Sequence, residues 1–143
     1  MRKSFFLLTL VLLPVAHSLA ADLKVGSPWI FAVPPGAKDT AAFMSPINTS
    51  DKPIRLTGGK TEAADRVSPM ITTKTEGRMG MKDVSYIEIP AGGKVTLAPG
   101  ADHLMIYGLK KPLTPGQNVP IEVTLSPGGK MTINAIVSRR EPK

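Results

Sequence analysis

Beyond the first twenty residues, apolar and polar positions alternate with a period of two in short runs, and glycine or proline closes nearly every run. The runs read "SPWIFAVPPG", "AAFMSPIN", "PIRLTGG", "SYIEIPAGGKVTLAPG", "HLMIYGL" and "VPIEVTLSPGGKMTINAIV". That period is the one a half-buried strand requires, because successive side chains leave opposite faces of a sheet. The last run predicts a hairpin. Ile121, Val123 and Leu125 point one way, "SPGG" turns the chain, and Met131, Ile133, Ala135 and Val137 point back to the same side. No apolar period of 3.6 residues survives the 14 prolines and 13 glycines, so no helix is predicted. Many short strands at roughly 8–12-residue spacing predict an all-β domain, a β-sandwich with Greek-key connections. Trp29 and Phe31, which alternate on an early strand, are expected in its core, with Met44 and Met131 filling gaps there.

A second hairpin is written into "VSPMITTKTEGRMGMKDV", turning at Glu76-Gly77. With a two-residue turn, Thr72 lies opposite Met81 and Met70 opposite Asp83. Met70 and Met81 then become diagonal neighbours on one face, about 7–8 Å apart at the backbone. Met79 shares that face, opposite Lys74. A one-residue slip would send these side chains to the other face. Further on, His103 and Met105 are two residues apart, so on a strand they too leave a common face, with Asp102 on the opposite one.

The first twenty residues follow a different logic. Arg2 and Lys3 precede a 12-residue, mostly apolar stretch from Phe5 to Ala16, and Ser18-Leu19-Ala20 supplies the small residues a signal peptidase reads. The stretch is shorter than the roughly 20 apolar residues that span a bilayer. Residues 1–20 are therefore expected to be a cleaved signal peptide, leaving residues 21–143 as one exported, soluble domain. Processing would remove His17, leaving His103 as the single histidine, and would lower the net charge from +7 to +5 by removing Arg2 and Lys3. The remaining excess charge is dispersed, with doublets only at Lys110-Lys111 and Arg139-Arg140, so a nucleic-acid partner is not expected.

The chain has no cysteine. That excludes a blue-copper electron-transfer site, Cys-based zinc sites and thioether-linked haem. No family signature of a nucleophile or acid–base enzyme surrounds His103, and no catalytic role is assigned. What remains is methionine and one imidazole. Thioethers are soft, neutral donors that favour Cu(I) over Mg, Ca or Mn. Only the imidazole among them must lose a proton before it can bind a metal. Taken singly, a methionine is better read as core filler than as a ligand, and His103 as a satisfied surface histidine.

The spacing adds to this. Met70, Met81, His103 and Met105 read M-x10-M-x21-H-x-M, a pattern expected by chance in about one chain in four thousand of this composition. The chain resembles the periplasmic copper chaperones of the PCu(A)C family, whose motif is H/M-x10-M-x21-H-x-M. The likeness extends to "PWIFAVPPGAKDTAAFMSPIN", "IPAGGKVTLAPGADHLMIYGLKKPL" and "GQNVPIEVTL". It implies a cupredoxin-like Greek-key sandwich, an exposed Cu(I) site made by Met70, Met81, His103 and Met105, and delivery of copper towards cytochrome c oxidase assembly. The partner would be a copper-acceptor protein, an oxidase copper centre or its assembly factor, met at the membrane by a monomeric carrier. Two features depart from the family. Position 70 is methionine where histidine is usual, and the C-terminus, "IVSRREPK", lacks the Met/His-rich tail of some relatives, so a Cu(II) site is not implied. The alternative function is an exported β-sandwich adaptor that does not use metal.

Overall fold

A computed structural model describes residues 22–143; the expected signal peptide, residues 1–20, lies outside the described residues. Nine strands follow in order: β1 (Leu23–Phe31), β2 (Asp39–Asn48), β3 (Ile54–Lys60), β4 (Ala64–Thr75), β5 (Arg78–Asp83), β6 (Ile87–Ile89), β7 (His103–Leu109), β8 (Asn118–Ser126) and β9 (Lys130–Ser138). Among the described residues no helix is long and apolar enough to cross a membrane. The strands form one sheet in the order β5-β4-β7-β2-β1-β9-β8-β3-β6. A further pairing of β4 with β3 closes it into a flattened barrel; β6 pairs along β3 and buries Ile87 and Ile89 in the core, while β5 extends outward from β4 as an exposed edge.

The closure passes through a single pair, Gly59 with Val67. β3 is also paired there with β8, and a Cβ built on Gly59 would stand 2.5 Å from the Glu122 carbonyl oxygen. Only glycine lets the two backbones meet at that distance.

The period-two pattern decides what each strand buries. Ile121 pairs with Ile133 and Val123 with Met131 across β8 and β9. Ile121, Val123, Leu125, Ile133, Ala135 and Val137 are buried in the core, as their alternation predicts, and Met131 packs against its edge. On the opposite wall Ile30, Ala42, Val67, Leu104 and Ile106 fill the same interior. Their neighbours Trp29, Phe43, Ser68, Met70, His103 and Met105 therefore stand on the outer face of β1, β2, β4 and β7.

Two expectations are corrected here. Trp29 is buried, but Phe31 is 41% exposed. Both alternate onto the outer face, where Trp29 is tilted against Phe43 at a centroid distance of 4.7 Å. Phe31, at the end of its strand, packs with Trp29 at 6.5 Å and otherwise meets solvent. The second correction concerns "SYIEIPAGGKVTLAPG". Only Ile87–Ile89 form a strand of their own. The following residues run beside β2 through isolated bridges, with Met44 and Leu97 exchanging main-chain hydrogen bonds of 3.2 and 2.8 Å. This run delivers the chain to the start of β7 beside β4.

Candidate metal centre

The hairpin of β4 and β5 is set by its turn. Glu76 and Gly77 both have positive φ, 52° and 77°, the conformation of a two-residue type I′ loop. The register follows directly: Thr75 opposes Arg78, Lys74 opposes Met79, Thr72 opposes Met81 and Met70 opposes Asp83. The thioethers of Met70, Met79 and Met81 accordingly share one side of the hairpin, the outer face of the barrel.

β7 lies on the other side of β4. Met70 directly opposes His103, and Ser68 opposes Met105. Directly opposed residues of an antiparallel pair have Cα atoms about 4.5–5.5 Å apart. Met70 is thus the middle of a three-strand row, Asp83–Met70–His103, with Met81 one rung to one side and Met105 one rung to the other. All four residues singled out by the sequence motif come to one patch. Among the described residues, no group of three or more His, Asp or Glu side chains gathers in a way that could hold a metal ion. The soft donors form the densest set of potential ligands on this face.

The donors differ in accessibility. His103 is 3% exposed and Met81 64% exposed, with Met70 and Met105 between them. Solvent reaches the patch chiefly from its β5 side, and the imidazole lies at the covered end. Burial also disposes of the reading of His103 as a surface histidine, and exposure disposes of Met81 as core filler. Of the six methionines after Met1, Met44 and Met131 go to the core, and the other four stand on this face.

A small hydrogen-bond clamp orients the imidazole. The Ala101 carbonyl lies 3.0 Å from His103 Nδ1 and also accepts the Thr72 hydroxyl at 2.8 Å. A carbonyl can only accept, so Nδ1 donates to it, and Nε2 is the ring nitrogen left to meet a metal. Next to it, Asp102 Oδ1 accepts the Thr72 amide at 2.9 Å. Asp102 thus extends the strand pairing just before β7 begins and does not serve the ring of its neighbour. Thr72, Ala101 and Asp102 were not singled out from the sequence. The available signal was positional: Thr72 lies two residues from Met70 on its face, and Asp102 adjoins His103.

Aromatic and charged neighbours frame the patch. Phe43 packs at a tilt against the His103 ring, with centroids 6.1 Å apart, and Trp29 backs Phe43. On the far side Tyr107 donates its hydroxyl to Asp83 Oδ1 at 3.2 Å, and the Arg66 guanidinium sits 4.1 Å from the Tyr107 ring centre. Burial, and then the Asp83 charge and hydrogen bond, push the Tyr107 phenol above its ordinary pKa, so it remains a donor to Asp83.

A family model described as "Putative lipoprotein LpqE-like" matches residues 23–137, from the start of β1 almost to the end of β9. The chain belongs to the LpqE-like family. It is 34% identical over 110 residues to "Putative lipoprotein Lxx21020" of Leifsonia xyli subsp. xyli. That match covers 76% of this chain, and the chain spans 65% of the relative's length. Two solved structures share the architecture. The copper-bound PCuAC domain from PmoF2 superposes with a TM-score of 0.71 at 26% identity, covering 85% of this chain and 94% of that domain. The solution structure of the Cu(I) form of DR1885 from Deinococcus radiodurans superposes with a TM-score of 0.64 at 42% identity, covering 80% and 76%. The PCu(A)C-type family and the all-β, cupredoxin-like fold expected from the sequence are both borne out.

Proposed function

We propose that this LpqE-like protein is an exported carrier of Cu(I), holding the ion with Met70, Met81, His103 and Met105 and passing it on by ligand exchange. The observation that carries this reading is the direct opposition of Met70 and His103, with Met81 and Met105 on the flanking rungs. Copper-bound forms of two structural relatives support copper as the cargo. The chemistry of the set supports the oxidation state: thioethers and a neutral imidazole suit a soft monovalent ion. Binding consumes no thiol, so an oxidising compartment leaves the site free of disulfides. Export is supported by the signal-like pattern of residues 1–20 and by the lipoprotein description of the Leifsonia relative.

Release needs no turnover chemistry. Met81 stands in solvent while His103 is anchored by Ala101, so an incoming donor displaces the thioether side first and the imidazole last. The acceptor in this reading is the copper centre of a respiratory cytochrome c oxidase or a protein that assembles it. Titrating Cu(I) against a competing chelator tests the reading. One equivalent bound by the wild type, with large losses in Met81→Ala and His103→Ala, is the expected result. Unchanged affinity in both variants would leave the metal-independent adaptor in its place.

A further inference from the structure

One methionine of the outer face has no role in the four-donor set. Met79 stands on β5 two residues from Met81, on the same side, and opposite Lys74 of β4. It is 64% exposed, as is Met81, and every residue of β5 is exposed. β5 ends the sheet, paired with β4 alone among the described strands. An edge strand in water ordinarily carries polar or charged side chains, and packing gives no reason for a thioether at this position.

Along β4 the donors fall on successive rungs, about 6.5–7 Å apart. Met105 lies at the Ser68 rung, Met70 and His103 at the next, Met81 at that of Thr72, and Met79 at that of Lys74. Beyond the His103 rung, accessibility rises towards the hairpin tip, to the free edge at Met81 and Met79. Two thioethers at i and i+2 on one strand face can share a single soft ion without any movement of the backbone.

We propose that Met79 is a relay ligand: with Met81 it holds Cu(I) transiently at the free edge of β5, one rung outside the four-donor site, and sets the rate of entry and exit. The proposal rests on the Cu(I)-carrier reading given above. On exit the copper–Met79 bond forms as the copper–Met70 and copper–Met105 bonds break, Met81 stays bound, and the copper–His103 bond breaks last as a donor of the acceptor takes its place; entry runs in reverse. Copper stays monovalent, and neither proton nor electron moves. The outer position lacks an imidazole and faces the Lys74 ammonium, so it holds the ion more weakly than the inner one. A weak outer stop lowers the barrier to exchange without changing the end state.

The test separates rate from affinity. Cu(I)-loaded wild type and Met79→Leu are mixed with excess of an aromatic bidentate Cu(I) chelator in a stopped-flow instrument, and equilibrium affinity is measured by competition. The expected result is an equilibrium constant within twofold of wild type, with uptake and release both slowed about tenfold. Both must slow equally, because their ratio is the unchanged affinity. Wild-type rates in Met79→Leu would overturn the relay while leaving the carrier intact. A tenfold or greater loss of affinity would also overturn it, by making Met79 part of the resting site. A wild type that takes up no Cu(I) would instead remove the carrier reading itself. Met79 is 64% exposed and outside the core, so the variant is expected to fold.

Discussion

Met70 and His103 face each other directly across β4 and β7, although 32 residues lie between them in the chain. The pairing puts a thioether beside the one imidazole of the described residues, and the β4–β5 turn then adds Met81 on the neighbouring rung. The position where the PCu(A)C motif allows either histidine or methionine is therefore the central position of the patch.

Replacing Met70 tests that placement. Met70→Ala is expected to weaken Cu(I) binding by tenfold or more, about 1.4 kcal/mol. Met70→His should retain binding near neutral pH but lose more affinity than wild type on acidification, because two imidazoles must then be free of protons. Competition titrations of all three proteins at pH 6 and 8 read both effects. Wild-type affinity in both variants would remove Met70 from the site.

The clamp on the imidazole makes a separate prediction. Thr72→Val deletes the hydroxyl that shares the Ala101 carbonyl with His103, while keeping the amide that donates to Asp102. Groups that orient a metal-bound histidine typically matter by 10- to 100-fold in affinity, and about tenfold is expected here. The nitrogen chemical shifts of the His103 ring, read by NMR, should meanwhile show a second tautomer that is absent in the wild type.

Much of this patch was legible in the sequence, for local reasons. The Glu76-Gly77 turn fixes which residues oppose each other for the six pairs from Thr75–Arg78 to Met70–Asp83, so the hairpin register follows from the loop alone. Alternation in "VPIEVTLSPGGKMTINAIV" likewise gave the inward faces of β8 and β9. What alternation does not carry is partner choice between distant strands. The Met70–His103 opposition depends on β7 returning beside β4, and the closure at Gly59 depends on β3 reaching both β4 and β8. Nor does it tell inner from outer face where both hold large apolar residues. Trp29 and Phe31 were expected in the core for that reason, and only Trp29 has the neighbours to bury it on the outer face.

The face itself can be tested without changing composition. In Gly80→Met/Met81→Gly the thioether moves to the opposite side of β5, because adjacent residues of a strand alternate. A Cβ at position 80 approaches only the Thr73 hydroxyl, at 3.2 Å, which can rotate aside, so folding should survive. Cu(I) affinity is expected to fall as far as in Met81→Ala. Retained affinity would mean that β5 does not contribute through this face.

Barrel closure predicts a stability effect away from the patch. Gly59→Ala places a methyl against the Glu122 carbonyl carbon and oxygen, which are backbone atoms of a central pairing and cannot swing away. A loss of about 2–3 kcal/mol is expected, in the range of overpacked cores. Urea unfolding should show a lower midpoint with an unchanged slope. Gly36→Ala serves as the contrast: nothing lies within 4 Å of a Cβ there, so the only cost is that of its positive φ, about 1 kcal/mol.

The ligand set remains the central claim, and X-ray absorption at the copper edge of the Cu(I)-loaded protein addresses it most directly by counting neighbours. Three sulfur and one nitrogen scatterer are expected, falling to two sulfurs in Met81→Leu with the nitrogen retained. A first shell made of nitrogen and oxygen, unaltered by that substitution, would contradict the assignment of Met70, Met81, His103 and Met105.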